Sequence, residues 1–194
     1  FKWGFDPNPR FRLDWLPEGV RFSNVASDEF FAQLDPSIGL DLCFLDGLHT
    51  ADQTLRDFCN VLPHLNKNAV VLIDDVFPDD DLSAIPNELE ALAAKREAGI
   101  SDGRWHGDVW KVVPALAHFF PSIEMLLLGG DAEIDNPQAL VLFADSAAVT
   151  VPSVAEQSKF LEGLSGETFS SYKGLNPDRW VLSAEETIDT LFSV

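Results

Sequence analysis

Basic residues are scarce in this chain. Thirteen Lys and Arg stand against thirty-two Asp and Glu, for a formal net charge of −19. A surface that acidic repels nucleic acid and anionic membranes, which excludes both as partners. Solubility in a salty environment accounts for the charge without any specific cationic partner. Cysteine is nearly absent too. Cys43 and Cys59 fall at expected core positions, one on a strand and one on a helix, so a reduced, cytoplasmic setting is expected rather than a disulfide framework. No apolar run approaches the ~20 residues of a membrane span. A signal peptide is missing, but the chain opens at Phe1 without Met, so that absence carries little weight. Internal repeats and low-complexity linkers are lacking as well. What remains is a chain that is 46% apolar, with five Trp and fifteen Phe in 194 residues. That is ample for one α/β domain with an appendage.

The informative stretch is 40–76, LDLCFLDGLHTADQTLRDFCNVLPHLNKNAVVLIDDV. Two short apolar runs each end in acid: Leu40 to Leu45 stops at Asp46-Gly47, with His49 just beyond, and Ala69 to Ile73 stops at Asp74-Asp75. Between them Leu55, Phe58, Val61, Leu62 and Leu65 recur at helical steps. Two strands joined by such a helix form a βαβ unit with parallel strands. Both acidic ends then reach the same C-terminal sheet edge, where open α/β folds bind ligands. Neighbouring strands lie about 4.8 Å apart, so three carboxylates and an imidazole would share a small volume. Like charges at that separation repel by several kcal/mol at an intermediate dielectric, so a divalent cation, an arginine or protons must offset them. Oxygen ligands suit magnesium, calcium or manganese better than zinc. The plainer alternative is helix capping, by Asp46 for the helix beginning near Thr50 and by Asp75 for a later turn.

Elsewhere, Phe1 to Phe5 reads as a strand broken by Asp6-Pro7-Asn8-Pro9, and Val20 to Val25 as a second. A brief helix follows, with Ser27 or Asp28 as its N-cap. Helices are expected over about Ala51 to Leu65, over Asn87 to Ala98 inside the acidic loop Pro78 to Ser101, and over Asp108 to Phe119, where Pro114 marks a kink or a first turn. Ile123 to Leu128 and Ala139 to Ala144 should form an antiparallel pair at a sheet edge. Residues 151–194 change character, with polar turns around Gly163 to Gly174 and helical spacing from Ala184 to Phe192. Asp57 should face solvent or pair with Arg56 or another neighbour. His64 and His118 fall late in helices, where a cation favours the dipole.

The order β, β, β-α-β, α, hairpin resembles the class I S-adenosylmethionine-dependent methyltransferases, entered at their second strand. The likeness is greatest to small-molecule O-methyltransferases of the metal-dependent sugar and macrolide type. It rests on Phe44-Leu45-Asp46-Gly47-Leu48-His49, on Ile73-Asp74-Asp75 and on the helix start Trp105-His106-Gly107-Asp108-Val109-Trp110-Lys111. It implies an α/β, Rossmann-like fold, with a mostly parallel central sheet and an antiparallel C-terminal hairpin. Residues 1–150 would form the methyltransferase-like domain and 151–194 a partly helical extension.

The resemblance also implies roles. Asp6 would accept the ribose hydroxyls of the cofactor, as a carboxylate facing a diol does well; it would equally open an Asp-Pro turn. Ser27 and Asp28 would approach the adenine, or cap their helix, and Asp46 would border the cofactor. Asp46, Asp74 and Asp75 would bind Mg2+, which holds two neighbouring oxygens of the acceptor and lowers the pKa of one. His49 would be the general base, or else a helix-start residue bonded to a nearby carboxylate. Trp105 and His106 would line an acceptor pocket or anchor their loop, and the loop Pro78 to Ser101 would cover the acceptor.

Two features depart from the family. No G-x-G-x-G turn is present, nor the first strand that precedes it, so residues upstream of Phe1 are expected in the natural protein. Lys67-Asn68-Ala69 replaces the usual Gly-Gly before a strand, which Asn tolerates through its ease in the left-handed conformation.

The expected function is S-adenosylmethionine-dependent, Mg2+-assisted methylation of a hydroxyl on a small polar molecule, a sugar or glycosylated metabolite. The alternative is a methyltransferase-like binding or assembly module without turnover. A different Rossmann-like enzyme, handling a nucleotide-sugar, ranks third, since phosphate sits poorly beside three carboxylates unless a metal intervenes. A homo-oligomer is compatible with either of the first two. The extension 151–194 would cover the acceptor site, pack on a sheet edge or make a dimer contact.

Overall fold

The structure, a computed structural model, describes residues 2–129, 136–143, 149–180 and 182–183. The chain divides into two compact units, Phe1–Gly39 and Leu40–Val194.

In the first unit, β1 (Lys2–Phe5) pairs with β2 (Val20–Ser23) in a parallel two-stranded sheet with Lys2 opposite Val20. The ladder closes with the Asp6 amide donating to the Ser23 carbonyl at 3.2 Å. α1 (Ser27–Gln33) follows, and its N-cap is Ala26, which has no side-chain acceptor. Ser27 and Asp28 therefore occupy the first turn instead of capping it. There the acid of Asp28, with Glu29, faces the positive end of the helix dipole. Phe30 stacks on Phe5 at 4.5 Å between ring centroids, and Phe31 meets Phe5 edge-on at 5.6 Å. These aromatic contacts hold α1 on β1.

The second unit contains the sheet β3-β4-β6-β5-β7. β3 (Leu40–Leu45) and β4 (Leu65–Ile73) are parallel neighbours joined through α2 (Ala51–Val61), as the βαβ reading expects. The helix ends four residues earlier than its spacing implies. Leu62–His64 tightens into a 3-10 turn around Pro63, whose missing N–H suits a helix end, and Leu65 already belongs to the strand. The register slips between Leu40 and Leu42, where β4 carries the left-handed Asn68 (φ 62°). β5 (Glu124–Leu128) and β6 (Gln138–Leu142) are the expected antiparallel pair. They do not both lie at the edge, because β6 sits between β4 and β5, and β7 (Leu182–Ser183) adds parallel to β5. The sheet is thus mixed rather than mostly parallel, and compatible with a Rossmann-like fold.

α3 (Glu88–Glu97) starts as expected at Asn87, whose side chain accepts from the Glu90 amide. α4 (Val112–Phe119) follows a 3-10 turn at Val109–Lys111 and carries Pro114 in its first turn. α5 (Val154–Gly163) opens on a capping box between Ser153 and Glu156, and α6 (Phe169–Leu175) follows. α2, α4 and α5 pack together, burying Leu55, Phe58, Val61, Val112, Val113 and Leu116 with Val71 and Ile73 of β4. The extension therefore packs within this unit. α6 sets Phe169 against Phe77 and Trp110, and the Ser170 amide donates to Asp81 at 2.8 Å. The helix expected over Ala184 to Phe192 lies outside the described residues. Cys43 and Cys59 are free thiols, pushed up by burial to about 11 and about 12. Among the described residues, no helix is long and apolar enough to cross a membrane.

Candidate functional site

β3 and β4 run side by side with Leu45 opposite Ile73, and the Asp74 amide extends the ladder by donating to the Leu45 carbonyl at 3.0 Å. Asp46 and Asp74 therefore leave the sheet at the same level. Each strand then turns sharply, and at each turn a non-glycine residue is left-handed: His49 at φ 55° and Asp75 at φ 59°. His49 lies between the two acids. Its Nδ1 is 2.9 Å from Asp75 Oδ2, and its Nε2 is 3.2 Å from Asp46 Oδ1. Asp75 is 5% exposed, whereas the Asp46 side chain is 43% exposed, so one side of the imidazole is closed and the other open.

Burial alone would lower the pKa of His49, but hydrogen bonds to Asp46 and Asp75, with their charges, raise it to about 10. In the ligand-free protein the ring is therefore an imidazolium at neutral pH, and it must release that proton before it can accept another. Burial, joined by the charges of Asp75 and Asp46, raises the Asp74 carboxyl against hydrogen bonds from the Asp75 amide and Gln138.

The other walls come from distant sequence. The segment after β4 folds on itself: Ser83 bonds to Asp80, Lys95 Nζ donates to the Arg104 carbonyl at 2.7 Å, and Trp105 Nε1 donates to the Ile85 carbonyl at 2.7 Å. These bonds deliver Trp105 to His49, with the rings stacked at 4.9 Å and 15°. An indole face suits an imidazolium. Gly107 (φ 63°) passes so close that an added Cβ would collide with the His49 carbonyl. The Asp108 carboxylate accepts from the Ala51 amide at 2.8 Å and pairs with Lys111 Nζ at 2.9 Å. Thr50, the N-cap of α2, makes no side-chain capping bond, and Asp46 faces His49, so Asp108 does the capping expected of Asp46.

Of the expected residues, Asp46, His49 and Asp75 come together, with one ligand atom from each all within 4.8 Å. Two carboxylates and an imidazole in that span fit a divalent cation by donor type. Asp74 is adjacent, but its Oδ1 accepts from the Asp75 amide at 3.0 Å, Asn136 at 2.8 Å and Gln138 at 3.3 Å. Asp6, Ser27 and Asp28 belong to the first unit. Asp6 Oδ1 accepts from the Asn8 amide at 2.7 Å, the tight turn that Asp-Pro-Asn favours. Asp57 is buried rather than facing solvent, and of the expected partners it takes a neighbour, accepting from Gln53 at 2.8 Å beside Gly47, while Arg56 pairs with Asp52. Asn136 and Gln138 escaped the sequence reading, as did the bond of Asp108 to α2, since sequence placed Asp108 only at a helix start. Asn136 and Gln138 lie between or at the ends of apolar runs, where nothing local says which way an amide faces.

Residues 4–76 match a family model for a methyltransferase domain. The matched span runs from the second half of β1 through β4, and takes in Asp6, Asp46, His49, Asp74 and Asp75. It supports a methyltransferase, for which the family implies S-adenosylmethionine as methyl donor. No curated protein matches the chain.

Proposed function

We propose that the protein is an S-adenosylmethionine-dependent O-methyltransferase acting on a hydroxyl of a small polar molecule such as a sugar or glycosylated metabolite, with Mg2+ assistance. The observation that carries this reading is the convergence of Asp46, His49 and Asp75 at the C-terminal ends of two parallel neighbours. Asp46 and Asp75, backed by Asp74, would hold the cation, whose charge lowers the pKa of the hydroxyl to be methylated. Asp75 would orient the ring through Nδ1, and Nε2, on the open side, would take the hydroxyl proton once it has released the one it shares with Asp46. Bound S-adenosylmethionine would supply the methyl group, from its sulfonium sulfur, to that oxygen. Asp6, its carboxylate oriented by the Asn8 amide, would accept the ribose hydroxyls, with Ser27 and Asp28 near the adenine.

Calorimetric titration of S-adenosylhomocysteine into the full natural chain, with and without Mg2+, tests the reading. Micromolar binding lost in Asp6→Ala is expected. Once an acceptor is found, His49→Gln should lower turnover by about 10²–10⁴-fold. No binding in the wild type would turn the reading to a methyltransferase-like module kept for binding or assembly.

A further inference from the structure

Asp74 and Asp75 are adjacent carboxylates beside a third, and among the described residues no Lys or Arg pairs with either. What meets them is β6. Its antiparallel pairing with β4 sets Ala139 opposite Ile73, so residues 136–138 run past the acid pair. The Asn136 side-chain amide donates to Asp74 Oδ1 at 2.8 Å and to Asp75 Oδ1 at 3.1 Å, and Gln138 Nε2 reaches Asp74 Oδ1 at 3.3 Å. Ionised carboxylates only accept, so the amide nitrogen must be the atom that faces them. The consequence for Asn136 is unfavourable, because its Oδ1 is buried without a partner among the described residues. Asp75 spends its Oδ1 on Asn136 and its Oδ2 on His49 Nδ1, so amide, carboxylate and imidazole stand in series. A Lys or Arg in the same place would neutralise the pair, whereas an amide orients it and leaves its charge intact.

We propose that Asn136, supported by Gln138, is a positioning residue of this site. Its amide holds Asp75 on His49 and ties Asp74 down as a backing carboxylate. Both residues lie outside the span that matches the methyltransferase domain. The role rests on the preceding reading only where cation binding is measured.

The test uses the whole chain. In metal-free buffer an imidazole N–H held by a carboxylate gives a slowly exchanging proton resonance far downfield, assigned here by its loss in His49→Gln. Asn136→Leu keeps the volume and removes the donor. It should shift or abolish that resonance and weaken Mn2+ binding, followed by electron paramagnetic resonance, by about tenfold or more, while circular dichroism stays unchanged. Gln138→Met should give a smaller change of the same sign. An absent resonance in the wild type, or a resonance and Mn2+ affinity both unchanged in Asn136→Leu, would overturn the proposal. If Asn136→Leu does not fold, the wild-type amide decides: slow exchange of the Asn136 side-chain protons supports the role, and solvent-like exchange overturns it. A wild type that takes no Mn2+, with a resonance that still moves in Asn136→Leu, removes the metal from the preceding reading and leaves the positioning role standing.

Discussion

Two carboxylates share one imidazole at His49, and the direction of its effect on stability follows from them. An unfolded histidine titrates near 6.5, and the folded ring near 10. The folded state therefore holds the proton more tightly. Its contribution is complete below about pH 6.5 and disappears as the pH climbs towards 10. In buffer with a chelator, the unfolding midpoint of the wild type should fall between pH 7 and pH 10 by more than that of His49→Gln; equal falls would contradict the pairing. At this scale the sequence made the clustered groups visible, because Asp46, His49, Asp74 and Asp75 stand just past apolar runs. It did not make their supports visible. Asn136 reaches a partner 62 residues earlier in the chain, and Asp57 is buried with its carboxylate beside Gly47, outside its own helix. Neither relation has a local pattern.

Among the elements, α2 shows how a tertiary partner replaces a local cap. The sequence offers Asp46 and Thr50 at its start, yet the Ala51 amide donates to Asp108, 57 residues away, while Asp108 also holds Lys111. Asp108→Ala should cost about 1–2 kcal/mol in urea unfolding, as the loss of a strong N-cap does, and Asp108→Asn less. A loss no greater than that of an exposed surface Asp→Ala would show that the bond is not made in solution. Strand and helix identity in the β3–α2–β4 unit followed from periodicity alone. The end of α2 did not, since apolar spacing continues to Leu65 while Pro63 stops the hydrogen-bond ladder. The position of β6 between β4 and β5 was equally invisible, because two apolar runs with a short gap say that they pair, not which of them meets a third strand.

For the whole chain, the net charge of −19 acts against compaction through self-repulsion. Raising NaCl from about 0.05 M to 0.5 M shrinks the screening length from above 10 Å to below 5 Å, so Tm should rise; a Tm independent of salt would mean that the acids lie too far apart to matter. Global stability of a folded domain is only about 5–15 kcal/mol, so local penalties are felt throughout. His49 and Asp75 each carry one, being left-handed without being glycine, at about 1–2 kcal/mol apiece. Above about pH 10, where the His49 proton and the stability it brings are gone, selection for a sturdy fold alone would favour glycine at both positions, where the backbone would be relaxed and the site bare. A chain that keeps an imidazole and a carboxylate in those two turns accepts backbone strain to hold them there, and variants bred only for heat resistance in strongly alkaline buffer should be expected to lose these two side chains first.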